Sequence, residues 1–248
     1  MSRSTGRTLD LFEVFARERR PLSLSELSKA IGVAPSSCFS IVKTLKSRGF
    51  LYEVGERKAL YPTRRMLERS LAIAEHEPHL MQLVPVMETL RDATGETIIL
   101  GRRQSNEIVY LKVVEGLHTV RYTAQVGELK PMHSSAIGKV VLGALDRADR
   151  LALIEKLPLR QMTDNTISDR GRLVADLDEG IARGYQMTLG ENVADVVAIA
   201  MPVKIGNDEF GICIAGPRHR MEPRHAELAA IIASTLQSFA SGKMRGRS

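Results

Sequence analysis

The stretch of this chain with the most chemistry in it runs Gly127-Glu128-Leu129-Lys130-Pro131-Met132-His133-Ser134-Ser135-Ala136-Ile137-Gly138-Lys139. A Gly-Lys pair behind small residues resembles a nucleotide phosphate loop. In the register of G-x-x-x-x-G-K-S/T, however, the first glycine falls on His133 and the closing hydroxyl on Val140, which excludes that reading. What remains is a loop of small residues opening a helix, whose amides at Ser135, Ala136 and Ile137 can receive an anion without a charged side chain. A plain N-cap by Ser134 is the simpler alternative. A second constellation is Ser36, Ser37, Ser40, Lys43, Thr44 and Ser47, which share one side of a helical pattern. Small hydroxyls with one lysine suit a helix entering a DNA major groove about 12 Å wide, where bulkier residues would hold the backbone off the base edges. An ordinary solvated helix face is the alternative.

Catalytic and metal chemistry find little support. His118, His133, His219 and His225 have no metal-ligand spacing and no patterned carboxylate beside them, and no G-x-S-x-G occurs. No catalytic residue, metal site or cofactor is expected. Cys38 and Cys213 stand far apart among apolar or small neighbours, which points to a reducing cytoplasm rather than a disulfide framework. The longest apolar run, residues 196–201, is far too short to span a membrane.

The elements that must carry these residues follow from charge and periodicity. The 248 residues carry a formal charge of +6, and its distribution is uneven. Residues 1–75 hold 14 basic and 8 acidic side chains, a net +6, whereas residues 76–241 hold 18 and 21, a net −3. Lys243, Arg245 and Arg247 add a short basic tail over 242–248. A basic module joined to a mildly acidic body is the distribution expected of a phosphate-backbone binder with a separate partner domain.

In the basic third, Leu9, Phe12 and Ala16, with Leu11 and Phe15, read as the buried stripe of a first helix ended by Pro21. Ser23-Leu24-Ser25-Glu26 offers a capping box for a second, with Leu27 and Ile31 inward and a stop at Gly32. A third is predicted over 35–47, with Phe39, Val42 and Leu45 inward and Cys38 and Ile41 beside them. A hairpin follows: residues 50–54, a turn at 55–57, then 58–61 before Pro62, with Arg57 and Lys58 at its tip. Three helices and a basic-tipped hairpin form a winged helix-turn-helix over 1–62, in which Ser36, Ser37, Ser40, Lys43 and Thr44 reach the major groove and Arg57 and Lys58 reach phosphates or a minor groove. Residues 63–78 read as a connecting helix broken at Pro78.

Residues 79–241 read as blocks. There is a helix to Thr94 with Pro85 inside it, then strands over 96–103, 107–115 and 118–125. Helices over 134–145, 147–156 and 169–183 follow, then strands near 184–188, 196–204 and 210–215 and a last helix over 223–241. Such blocks point to an α+β fold with a mainly antiparallel sheet flanked by helices.

The stretches Arg7-Thr8-Leu9-Asp10-Leu11-Phe12 and Leu22-Ser23-Leu24-Ser25-Glu26-Leu27, with the ending Leu45-Lys46-Ser47-Arg48-Gly49-Phe50-Leu51, resemble the winged helix-turn-helix of IclR-family bacterial transcription regulators. The likeness continues over about 240 residues. It implies that 63–78 is a linker helix, and that 79–241 is a GAF-like effector domain whose pocket is closed on one side by the loop before Gly138-Lys139. Effector contacts carried over residue by residue are Met132, His133, Ser135, Ala136, Ile137, Thr188, Val196, Ala198, Cys213 and Ala215. Members that bind very small oxoacids carry a carboxylate, a cysteine and serines where this chain has Thr188, Ala198, Cys213 and Ala215. Fewer hydrogen-bonding groups favour an organic acid with an apolar or aromatic body. The resemblance therefore implies a ligand-responsive regulator, expected to repress, that binds double-stranded operator DNA as a homodimer or homotetramer. Two other readings stand beside it: a DNA-binding protein whose second domain only oligomerises, and a DNA-binding module fused to an enzyme.

Overall fold

Local sequence accounts for the first helices. Ser23 and Glu26 form the capping box: the Ser23 amide and hydroxyl both donate to Glu26 Oε2 at 2.8 Å, and the Glu26 amide donates back to Ser23 Oγ. Gly32 takes φ +63°, the left-handed turn needed before the next helix. The computed structural model describes residues 3–75, 77 and 79–242, with the Arg3 side chain left out. Pro78 and the tail cations Lys243, Arg245 and Arg247 lie outside the described residues. The chain divides into two units, residues 1–77 and 78–248.

The first unit holds α1 (Arg3–Glu18), α2 (Leu24–Ala30), α3 (Pro35–Ser47), β1 (Leu51–Val54), β2 (Ala59–Pro62) and α4 (Arg65–Ala74). Its core is Leu11, Val14, Phe15, Leu22, Leu27, Cys38, Val42, Leu45, Leu51 and Leu60. Two expectations change here. Leu9 and Ala16 are exposed, because the buried line of α1 runs through Leu11, Val14 and Phe15. Phe39 is 55% exposed, because Cys38, Val42 and Leu45 occupy the inner line of α3. β1 and β2 pair antiparallel from Leu51↔Pro62 to Val54↔Ala59, so Lys58 belongs to the turn, at φ +48°. Leu22 and Leu60 exchange backbone hydrogen bonds of 3.0 and 2.7 Å, tying the segment before α2 to the hairpin. The connecting helix, α4, falls within this first unit and exposes Leu67, Leu71 and Ile73.

The second unit is a six-stranded, wholly antiparallel sheet. Its strands are β3 (Thr97–Gln104), β4 (Glu107–Val114), β5 (Leu129–Pro131), β6 (Gln186–Leu189), β7 (Val196–Ile205) and β8 (Asp208–Pro217), in the order β5-β4-β3-β8-β7-β6. The two-residue alternation of the strands separates two cores. Ile98, Leu100, Ile212 and Ile214 pack with α5 (Leu80–Thr94) and α10 (His225–Ala240), which follows the short α9 (Arg218–Met221). Ile99, Cys213 and Ala215 pack with α6 (Ala136–Ala144), α7 (Arg147–Lys156) and α8 (Arg170–Arg183) on the other face. The mixed α+β architecture is as expected, with one correction. Residues 118–125 form no strand, because the outer edge of β4 is taken by the segment that leads into β5: Tyr110 donates to Glu128 O, and Gly127 donates to Tyr110 O. No helix of the described residues is long and apolar enough to cross a membrane.

Candidate functional site

The first unit assembles the hydroxyl face of α3. Ser36, Ser40, Lys43 and Thr44 are exposed and Ser37 is half-buried. Ser40 Oγ donates to Ser36 O at 3.1 Å and Thr44 Oγ1 to Ser40 O at 3.0 Å, so each hydroxyl uses its proton within the helix and turns acceptor lone pairs outward. No acidic residue occurs in α3. Lys46 is paired with Glu53 of the hairpin, whose carboxyl that contact holds below the usual range. Arg57 and Lys58 are exposed at the hairpin turn. Three residues passed over in the sequence join this face: Ser4, Arg7 and Thr8 at the start of α1 line a cleft of about 480 Å³ with Ser37, Ser40 and Thr44. Their signal was Arg7 and Thr8 at i+3 and i+4 from Ser4.

In the second unit the loop before Gly138 makes a tight entry to α6. Ser135 is the N-cap: its hydroxyl donates to Pro131 O at 2.8 Å and accepts from the Gly138 amide at 3.2 Å. The amides of Ala136 and Ile137, at the first two helical positions, have no carbonyl within the helix to bind. Gly138 is required here, since a Cβ would stand 2.2 Å from Met132 O. The cap that the simpler alternative placed at Ser134 is thus made by Ser135. Ser134 Oγ instead accepts from Asn192 Nδ2 at 3.1 Å.

Around this helix start lies a cavity of about 30 Å³, lined by Ser135, Ala136, Ile137, Thr188, Val196, Ala198, Cys213 and Ala215 together with Tyr110, Tyr122, Ser134, Asn192 and Val193. Eight of the ten positions expected to contact an effector therefore surround one space. Met132 and His133 do not: Met132 is core, and His133 is buried with Nε2 2.9 Å from Arg160 O. Both face a separate cleft with Ser105, Asn106 and Glu107. Burial lowers the affinity of His133 for a proton, so it stays neutral.

The polar wall missed in the sequence is Tyr110 and Tyr122, both of which line the cavity. Burial pushes the Tyr122 hydroxyl and the Cys213 thiol each up to about 12, and Tyr110 upward as well. All three are neutral at pH 7, so they offer hydrogen bonds without negative charge. Tyr122 reaches the cavity from the irregular segment 115–128. Thr97 Oγ1 donates to Tyr122 O at 2.5 Å, and Arg220 Nη2 to Val120 O at 2.9 Å. Arg220 also donates twice, at 2.7 and 2.9 Å, to the buried Glu96. On the other side of α6, Lys139 is fully buried, 2.6 Å from Glu191 and 2.7 Å from Asp176. It anchors the turn that carries Asn192 and Val193. Among the described residues, no group of three or more His, Cys, Asp or Glu could hold a metal.

Comparison with known proteins follows the same division. Residues 4–55 match the family described as IclR helix-turn-helix domain, and residues 75–240 the one described as bacterial transcriptional regulator IclR C-terminal. The HTH-type transcriptional regulator KdgR of Dickeya chrysanthemi is 29% identical over 199 residues, a match that spans 80% of this chain and 64% of the relative, just under two thirds of its length. The HTH-type transcriptional regulator BhcR of Paracoccus denitrificans is 27% identical over 238 residues, 95% of this chain and 84% of the relative. The crystal structure of Thermotoga maritima IclR has a TM-score of 0.78 at 19% identity, covering 99% of this chain and 98% of that one. An IclR homolog of Microbacterium hydrocarbonoxydans, solved in complex with 4-hydroxybenzoate, has a TM-score of 0.75 at 20% identity, covering 98% and 100%. At such identities the structures show the shared fold. With one family match on the helix-turn-helix and the other on most of the second unit, the chain belongs to the IclR family of bacterial transcriptional regulators, proteins that regulate rather than catalyse.

Proposed function

We propose that this chain binds operator duplex through α3 and the hairpin turn, and that its second unit binds a small organic acid with an apolar or aromatic body. In this reading Ser36, Ser37, Ser40, Lys43 and Thr44 meet the major groove, Arg57 and Lys58 meet phosphates, and the acid releases the operator, so the chain represses. A homodimer or homotetramer is the working form, because one module reads too few base pairs for useful specificity. The observation that carries the effector half is the uncharged cavity wall ending at a helix start. An acid would set its carboxylate on the Ala136 and Ile137 amides and its body against Tyr110, Tyr122, Val196, Ala198, Cys213 and Ala215. The 4-hydroxybenzoate complex of a structural neighbour supports that ligand class. The cavity holds little more than a water or two, so the ligand must displace a wall; segment 115–128, with no ladder of its own over 118–125, is the one to move.

The test is thermal denaturation and operator binding of the full chain with a panel of acids. Aromatic acids should raise the melting temperature and weaken DNA binding. Stabilisation by two- or three-carbon oxoacids alone would overturn the ligand class, and stabilisation by none would favour a purely oligomerising second domain.

A further inference from the structure

Phe39 is a large aromatic left 55% exposed on a helix whose inner line is already filled by Cys38, Val42 and Leu45. A solvated helix surface gains nothing from phenylalanine, which is a weaker helix former than alanine, glutamate or lysine. Its neighbours say what it faces. Ser36 lies three residues before it and Lys43 four after, so the ring shares a side of α3 with both. It also opens a cleft of about 220 Å³ floored by Leu24, Val42 and Leu60 and edged by Lys43, Lys46, Lys58 and one carboxylate, Glu53. Lys46 is paired with Glu53, which leaves Lys43 and Lys58 as the cleft's cations without a salt bridge among the described residues, although the charge of Lys58 is felt at Glu53. An apolar ring set among hydroxyls and three lysines, with the one nearby carboxylate neutralised by Lys46 and none on the helix itself, fits a polyanion that presents an apolar group. In the major groove of DNA that group is the 5-methyl of thymine.

We infer that Phe39 reads sequence, its ring packing against a thymine methyl while the serines and Lys43 engage polar edges and phosphates beside it. The inference rests on the proposed entry of α3 into the major groove, and it adds an apolar component to a surface otherwise made of hydroxyls.

The experiment uses the full chain and duplexes selected for tight binding from a random-sequence pool, with each thymine replaced in turn by deoxyuridine, which lacks only the methyl. At one or two positions per half-site, deoxyuridine should weaken wild-type binding about four-fold, the worth of one buried methyl group. Phe39→Ala should lose that sensitivity while melting as wild type does, and Phe39→Leu should keep part of it. Indifference of the wild type to deoxyuridine at every thymine would overturn the inference, and so would full sensitivity in Phe39→Ala. A changed oligomeric state of Phe39→Ala would overturn it too, by placing the ring against another chain. Lys43→Ala separates the two levels. If it weakens binding to every sequence while deoxyuridine is silent, Phe39 alone has been misread; if it changes nothing, α3 is not the groove helix.

Discussion

Replacing Arg220 by alanine should destabilise the second unit far more than replacing its partner. Glu96 is 1% exposed and takes two hydrogen bonds from the guanidinium, at 2.7 and 2.9 Å, while the Arg220 side chain is 23% exposed. Arg220→Ala removes both of these bonds from a buried carboxylate and leaves only His118, with Nε2 4.0 Å from Oε1, as a nearby ion partner, a situation that costs about 3–5 kcal/mol. Glu96→Gln strands an arginine that can turn toward solvent and keep a neutral hydrogen bond, so it should cost about 1 kcal/mol. For a unit of this size each kcal/mol moves the melting temperature by about 2–4 °C, so Arg220→Ala should lower it by roughly 6–20 °C. Thermal unfolding followed by circular dichroism at pH 7, with urea titration as a check, gives both numbers. The double variant Glu96→Gln/Arg220→Ala should recover stability relative to Arg220→Ala, because the buried charge is gone. An Arg220→Ala protein within about 1 kcal/mol of wild type would refute this account of the pair, as would a double variant no more stable than the single one.

Further expectations concern each unit. Arg57→Ala or Lys58→Ala should each reduce the slope of log affinity against log salt by about 0.9, the effect of one lost phosphate contact; an unchanged slope would put the hairpin turn off the DNA. Ser23→Ala should cost the first unit about 1 kcal/mol. Bonds from the Ser23 amide, the Ser23 hydroxyl and Arg20 hold the Glu26 carboxyl down to about 2, against an ordinary 4.5. The capping box should therefore contribute fully above pH about 4.5 and lose its contribution as pH falls toward about 2, and Glu26→Gln should flatten that dependence in acid unfolding curves. Gly138→Ala puts a Cβ 2.2 Å from Met132 O, a backbone atom that cannot swing aside. It should cost about 1–3 kcal/mol and abolish the ligand-induced rise in melting temperature; a normal response would mean the loop has slack.

Periodicity and capping carried the sequence reading a long way in some elements. The bounds of α3 and the capping box of α2 need only nearby residues, so both were legible, as was the grouping of Ser135, Thr188, Ala198 and Cys213 once a family register was assumed. Phe39 was placed inward because 39, 42 and 45 repeat every three residues, yet a helix of 3.6 residues per turn puts 38 on the line of 42 and 45 instead. Residues 118–125 alternate as a strand should, but a strand also needs a free edge, and the pairing that fills the edge of β4 is a tertiary event. Tyr110 and Asn192 gave no local sign of lining the cavity. For Tyr110 it is packing beyond its own strand that decides which residues border the cavity, and Asn192 sits on a turn positioned by Lys139, 52 residues distant from Glu191 in sequence.

The small volume enclosed beside Ser135 has a consequence in time. A ligand that must wait for a wall to part associates at the rate of that opening rather than of diffusion, and once inside it leaves just as slowly. In a regulator built this way, brief pulses of metabolite would pass unregistered and sustained ones would outlast their source. The response would follow a running average of supply, with the averaging period set by how firmly segment 115–128 is held down.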